Sequence, residues 1–173
     1  MLRHHLFEDE EFLKGDFMIS QKFTHLIEEN SEEIAEYWIN DLKKNESTSC
    51  FHDLGREECQ GYGLSILQDL GNWLDEKDMG GNIKDMYIEL GRSRAKEGRP
   101  LPQVVSAQLL LKRHIWLYIL SHGFLSTAFE LYQILELNNK VVYFFDRMIF
   151  YIIYGYELET TAKIKRMAKL FDQ

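Results

Sequence analysis

The chain has 173 residues, of which 45% are hydrophobic and 28% charged, and its formal net charge is −8. This composition excludes a disordered segment, and the length is typical of one domain with a full apolar core, so a single domain is expected over residues 1–173. The acidic balance excludes non-specific binding to nucleic acid, because such binding depends on an excess of lysine and arginine.

Cysteine usage and hydropathy predict a protein of the cytoplasm without a membrane partner. Cys50 and Cys59 are too few for a disulfide framework and do not form a paired zinc pattern. The N-terminus lacks the apolar stretch and cleavage site of a signal peptide. The longest apolar run, residues 141–156, contains Asp146 and Arg147 and is shorter than the roughly 20 residues that cross a bilayer.

Helical spacing of apolar residues dominates the first half of the chain. Asn30 or Ser31 is predicted to cap the first helix. Its apolar face repeats every four positions, at Ile34, Trp38 and Leu42. A second helix is predicted over residues 56–77. A third is predicted from Asn82 to just before Gly98, where a left-handed cap residue would end it.

The second half of the chain predicts a central core helix after Pro102, which suits the first turn of a helix because its missing N–H costs nothing there. This helix is apolar around most of its circumference, so we expect four of its residues in the core: Trp116, Val105, Leu109 and Ile119. A short helix at residues 126–136 follows, and Asn138 and Asn139 are predicted to break the chain before a long C-terminal helix at about 140–171.

The predicted fold class is therefore all-α, a bundle of about five to seven helices, for which a globin-like arrangement is one option. No catalytic motif accompanies it: the sequence contains no HExxH, no GxSxG and no phosphate-binding glycine loop. We predict that the protein is not an enzyme and holds neither a cofactor nor a metal.

Two histidines allow two interpretations, a haem ligand or a histidine at the edge of the core. His114 and His122 lie eight residues apart on the most apolar helix, close to the same face. An inward histidine among many aromatic residues is what a haem-binding globin needs, so either could be a haem ligand. The alternative is an imidazole at the edge of the core that is hydrogen-bonded to a carbonyl or carboxylate, and this alternative is favoured.

A basic island stands out in an acidic chain. Residues 1–89 carry 8 lysines and arginines against 21 acidic residues, whereas residues 90–173 carry 12 against 7. The island consists of Arg92, Arg94, Lys96, Arg99, Lys112 and Arg113. It could dock an anionic ligand or an acidic partner, because arginine binds carboxylate and phosphate with two hydrogen bonds, or it could pair with the acidic first half of the chain.

An apolar stripe continues to the end of the last helix. Its members recur at spacings of three or four, and they are Ile153, Tyr156, Thr160, Ile164, Met167 and Phe171. Such a stripe either folds back onto its own domain or packs against a second copy or an output domain. We predict that it is an interface and that the simplest assembly is a twofold homodimer.

Residues 90–116, LGRSRAKEGRPLPQVVSAQLLLKRHIW, carry a Gly-Arg-x-Arg-Ala turn, a Gly-x-Pro-Leu step and an apolar helix that ends near Arg-x-Ile-Trp. This segment resembles the N-terminal domain of the RsbRD type, found in RsbT co-antagonist proteins. The later FFDRMIFYIIYGYE is similar to that family's closing helix, and ENSEEIAEYWINDL is compatible with its first helix.

The resemblance implies an all-α input module placed ahead of a STAS or histidine-kinase output domain, acting in stress-response or two-component signalling. It carries over no catalytic residues. The sequence ends at Gln173 without an output domain, so we expect either a fragment of a longer protein or a stand-alone relative that acts through contacts with another protein. The two functions that stay open are a signalling input or interaction domain, and a sensor of haem or another small ligand.

Overall fold

A computed structural model describes residues 25–75, 81–122 and 128–171. Helix α1 covers residues 25–42, and a 3₁₀ helix follows at Glu46–Phe51. The remaining helices are α2 (Arg56–Leu74), α3 (Gly81–Lys96), α4 (Leu101–Ser121) and α5 (Ala128–Phe171). Within these residues there is no strand, so the predicted all-α multi-helix bundle is confirmed.

Helix α1 packs its predicted apolar face into the centre of the bundle. Ile34, Trp38 and Leu42 are fully buried, and the indole nitrogen of Trp38 donates a hydrogen bond of 2.9 Å to the carbonyl of Ala107 in α4. Gly63 of α2 lies directly against the Trp38 ring. The predicted cap at Asn30 or Ser31 was wrong, because both residues lie inside the helix, where their side chains donate to the carbonyls of Leu26 and Glu28.

The link from α3 to α4 follows the local sequence signals. Gly98 has a φ of 73°, a left-handed conformation that glycine adopts without strain. The backbone N–H groups of Gly98 and Arg99 bond the carbonyls of Ala95 and Arg94, which is the Schellman ending of a helix. Pro102 then occupies the first turn of α4 as predicted.

Helices α3 and α5 cross at backbone contact. A Cβ atom added to Gly91 would overlap the carbonyl of Ile152, and one added to Gly155 would overlap the carbonyl of Ile88. Both glycines are buried. The two glycines therefore let the helix backbones approach as closely as they do, and each lies in a segment that carries the family resemblance.

Helix α5 is longer than predicted. The expected break at Asn138 and Asn139 is wrong, because one helix of 44 residues runs from Ala128 to Phe171 without interruption. Asparagine inside a helix costs less than about 1 kcal/mol. Leu137 and Val141, on either side of the pair, are buried, and their burial outweighs that cost.

Helix α4 is a core helix on one side only. Its buried residues include Val104, Leu111, Ile115 and Ile119, but Leu109 is exposed, contrary to the prediction. Val105 and Trp116 are partly buried. The helix packs against α3, α5, the 3₁₀ helix and Trp38 of α1, and the Leu109 side chain stays 46% exposed. Among the described helices, none has both the length and the hydropathy of a membrane span.

Candidate interaction sites

The basic island divides into buried and exposed members. Arg94 is buried in the structure, and its guanidinium lies 5.0 Å from the centre of the Tyr62 ring. One of its nitrogens, Nη1, donates to both carboxylate oxygens of Glu97, at 3.0 and 2.8 Å. Arg94 is therefore engaged by its own domain, in a cation-π contact and an ion pair one helical turn away.

Arg99 completes the same cluster. Its Nε donates to Glu97 at 2.6 Å, a second nitrogen donates to the carbonyl of Cys50, and the guanidinium lies 5.2 Å from the centre of the Phe51 ring. Burial opposes the ionisation of Glu97, but hydrogen bonds from Arg99, Ser93 and Arg94 outweigh it and lower the pKa of its carboxyl. Arg99 thus connects the chain just after α3 to the 3₁₀ helix, and the ionised Glu97 accepts hydrogen bonds from both arginines of the cluster.

Of the other four members, two are exposed and two are partly buried. Lys96 is exposed and lies 3.7 Å from Glu89, while Arg113 is exposed. Lys112 lies 3.9 Å from Asp146, which links α4 to α5. Arg92 is partly buried, and its Nε has no hydrogen-bond partner in the part of the chain described. The six residues therefore differ in burial, and docking of an anion or an acidic partner by the island stays a prediction.

Sequence reasoning missed a buried polar group beside this cluster. Gln108 is fully buried in α4 and donates to the hydroxyl of Tyr62, while its own Oε1 has no partner among the described atoms. Burial raises the pKa of Tyr62 to about 12, against a smaller opposing effect of Arg94. Gln108 could have been identified from the sequence, because it is a polar residue inside an apolar helix. Glu97 could also have been identified, because it is the acidic residue that lies between the arginines of the basic island.

The apolar stripe of α5 also divides in two. Ile153 and Tyr156 are partly buried, and the Tyr156 hydroxyl donates to the carbonyl of Arg99 at 2.9 Å, so these two belong to the folded domain. Ile164 and Met167 are 62% and 50% exposed. The side chain of Phe171 lies outside the description.

The exposed part of α5 begins where the contacts with the domain end. Every residue from 160 to 170 is exposed, including Leu170 at 73%. At a rise of about 1.5 Å per residue, residues 157–171 extend about 22 Å along the helix axis. We call residues 157–171 the distal segment of α5.

The two histidines line one cleft, between α1 and α4. The Nε2 atom of His114 lies 2.8 Å from a carboxylate oxygen of Asp41. His122 ends α4, where its Nδ1 lies 2.8 Å from the carbonyl of Tyr118. Both rings thus have protein partners, as the favoured interpretation expected, and a haem ligand at either position stays a prediction. Within the described residues no group of three or more His, Cys, Asp or Glu side chains could hold a metal ion.

Comparison with known proteins adds one finding. A family model described as the RsbT co-antagonist protein rsbRD N-terminal domain matches residues 64–169, which is more than half of the chain. The match starts inside α2, so α1 lies outside it, and it extends through most of the distal segment. No significant match was found among curated proteins or among solved structures. The chain therefore belongs to the RsbRD N-terminal domain family, a family of stress-response signalling domains.

Proposed function

We propose that the protein is a non-catalytic input or interaction domain that acts in the cytoplasm and engages its partner through the distal segment of α5. The observation that carries the proposal is the exposure of Ile164, Met167 and Leu170 in a part of α5 where every residue from 160 to 170 is exposed. Large apolar side chains at successive turns of a helix are unfavourable in water and are typical of a surface that another helix covers.

The simplest partner for the segment is a second copy of the same chain. Identical chains most often pair through a twofold axis, which brings the same surface of each chain together. Two distal segments would then cover each other's Ile164 and Met167, and the same helices could continue toward an output domain. A small shift of α5 at its crossing with α3 would move the distal segment as well, because both belong to one helix, and it would change the packing of such a dimer.

The proposal is tested by sedimentation of the intact chain and of the double variant Ile164→Glu plus Met167→Glu. We expect the wild type to be a dimer and the variant a monomer, because each buried glutamate would lose its hydration without gaining a partner. A matched control is Leu158→Glu plus Ala162→Glu, which makes the same charge change at exposed positions of the distal segment, on the side of the helix away from Ile164 and Met167.

The control should remain a dimer, and circular dichroism should show that all three proteins keep their helix content. A wild type that sediments as a monomer at about 100 μM would contradict the homodimer, since a specific helical interface is expected to hold at that concentration. Dimers of equal strength in all three proteins would contradict the assignment to the distal segment.

A further inference from the structure

The cleft between α1 and α4 has the chemistry of a ligand site that is separate from the distal segment. Its volume is about 350 Å³, within the range of small-molecule pockets. Glu33 and Tyr37 line it from α1, and His114, Leu117, Tyr118 and His122 line it from α4.

Glu33, an exposed carboxylate with two fixed neighbours, lines this cleft. Each oxygen of Glu33 accepts one tyrosine hydroxyl at 3.1 Å, from Tyr37 and from Tyr118. The hydrogen bond that Tyr37 donates to Glu33 raises the pKa of Tyr37. Burial, and then its own hydrogen bond to Glu33, raise the pKa of Tyr118. Both hydroxyls therefore stay protonated and act as donors. A carboxylate has about four acceptor positions, so two remain for a ligand.

Aromatic rings form the walls around the carboxylate. The rings of Tyr118 and His122 stack with their centres 4.0 Å apart, and Tyr37 is half exposed on the opposite helix. The contact of His122 Nδ1 with the carbonyl of Tyr118 also holds the imidazole in place. The π-face of a tyrosine ring attracts a cation that lies within about 6 Å of its centre, and His122 packs beside Tyr118 as part of the same wall.

The surrounding charges favour the same kind of ligand. The residues of α1, 25–42, contain five glutamates and one aspartate and no lysine or arginine. Asp41 is in contact with His114, and Arg56 of α2 is paired with Glu36. Helix α4 adds Lys112 and Arg113 and no acidic residue, so the six acidic residues of α1 leave the two helices with a net charge of −4. The cleft therefore combines an excess of negative charge with aromatic walls and a carboxylate, which together favour a cation over an anion.

We propose that this cleft binds an organic ammonium group, with Glu33 as its counter-ion and Tyr37, Tyr118 and His122 as its aromatic walls. Such a site would provide a sensory domain with a chemical signal to detect. The inference does not depend on the distal segment, because the two surfaces share no residue.

The first test measures binding of choline by NMR chemical-shift titration, with 3,3-dimethylbutan-1-ol as the uncharged molecule of the same shape. We expect choline to bind with a dissociation constant of about 1 mM or lower and the alcohol to bind at least about tenfold more weakly, because only choline carries the charge. The shifts should be confined to α1 and α4.

Two variants locate the binding. Glu33→Gln keeps an acceptor but removes the charge, and it should weaken choline binding about tenfold. Tyr37→Leu removes one exposed aromatic wall and should weaken it about threefold. Glu32→Gln is the matched control, because it makes the same charge change on an exposed residue of α1 that does not line the cleft.

A further comparison identifies the source of the ammonium group. The probe is Nα-acetyl-lysine methylamide, which keeps the side-chain ammonium group and adds the backbone of a protein. If it binds more tightly than butylammonium, the natural ligand is a lysine side chain of a protein, and if not, it is a free amine. Either result supports the site. Equal binding of choline and its uncharged analogue, absence of binding to every ammonium probe, or a folded Glu33→Gln protein with wild-type affinity would overturn the proposal. None of these results would bear on the distal segment, whose test is the mass in solution.

Discussion

The two parts of α5 have similar apolar spacing, but the apolar side chains are buried in the first part and exposed in the second. From Val141 to Gly155 the helix packs against α3 and α4, and Phe145, Met148 and Ile152 are completely buried. From residue 160 onward every residue up to 170 is exposed. The boundary lies at Tyr156, whose hydroxyl bonds the carbonyl of Arg99 at the end of α3.

This difference shows that apolar periodicity predicts a face of a helix but not the partner that covers it. In the first half the partner is within the chain, and Gly155 allows it to reach backbone contact. In the distal segment the same kind of spacing finds no cover among the described residues. A pattern that the domain itself does not satisfy is the physical basis for proposing an external partner.

The largest effect is expected from filling the helix crossing. Gly155→Ala should destabilise the protein by about 3 kcal/mol or more, since the new methyl group would overlap the carbonyl of Ile88 and force two helix backbones apart. The free energy of unfolding in urea measures this directly. Gly61→Ala is the control, because nothing lies within 4 Å of its added Cβ, and it should stabilise α2 by about 0.5 to 1 kcal/mol.

Equal stability of the two alanine variants would mean that α3 and α5 do not cross at Gly155. The result would also remove the distinction between a tightly packed first half of α5 and a free distal segment.

A matched pair of methionines tests the same distinction with a smaller effect. Met148→Ala should cost about 2 to 3 kcal/mol, because this side chain is completely buried and its removal leaves a cavity. Met167→Ala should change stability by less than about 0.5 kcal/mol, because its side chain is half exposed. Unfolding should be measured at low protein concentration, where association of distal segments contributes least. Similar losses in both variants would show that the distal segment folds back onto the domain.

The smallest effect is expected from the cluster at the boundary, and it depends on pH. The pKa of Glu97 is lowered in the folded protein, whereas in the unfolded chain it is expected near the ordinary value of about 4.3. The stabilisation by its carboxylate is therefore complete above that pH and is lost as pH falls through the lowered folded pKa.

Glu97→Gln should accordingly be less stable than the wild type at pH 7, and the gap should close in acid. The gap should be modest, because water partly screens this carboxyl. Urea unfolding at a series of pH values measures it, with Glu32→Gln as an exposed control. A gap that stays constant from pH 7 to well below about 4 would show that ionisation of Glu97 does not hold the cluster together.

Several features of this protein followed from local sequence signals alone. Helix α2, the left-handed Gly98 that ends α3, and Pro102 in the first turn of α4 were all predictable, because each depends on residues within a few positions of one another. The all-α class and the family also followed from the sequence, since helical periodicity and the segment from Leu90 to Trp116 are both local patterns.

Only the tertiary structure decided which charges and apolar faces are free. Arg94 and Arg99 look like exposed cations in the sequence, yet contacts with Tyr62 and Phe51, which are distant in the chain, leave Arg94 buried and Arg99 partly buried. Likewise, α5 continues through Asn138 because Leu137 and Val141 are buried, and His114 and His122 share a cleft with Glu33 because α1 packs on α4. Each outcome depends on contacts between residues distant in sequence, whose burial energies exceed the local propensities that a sequence pattern reports.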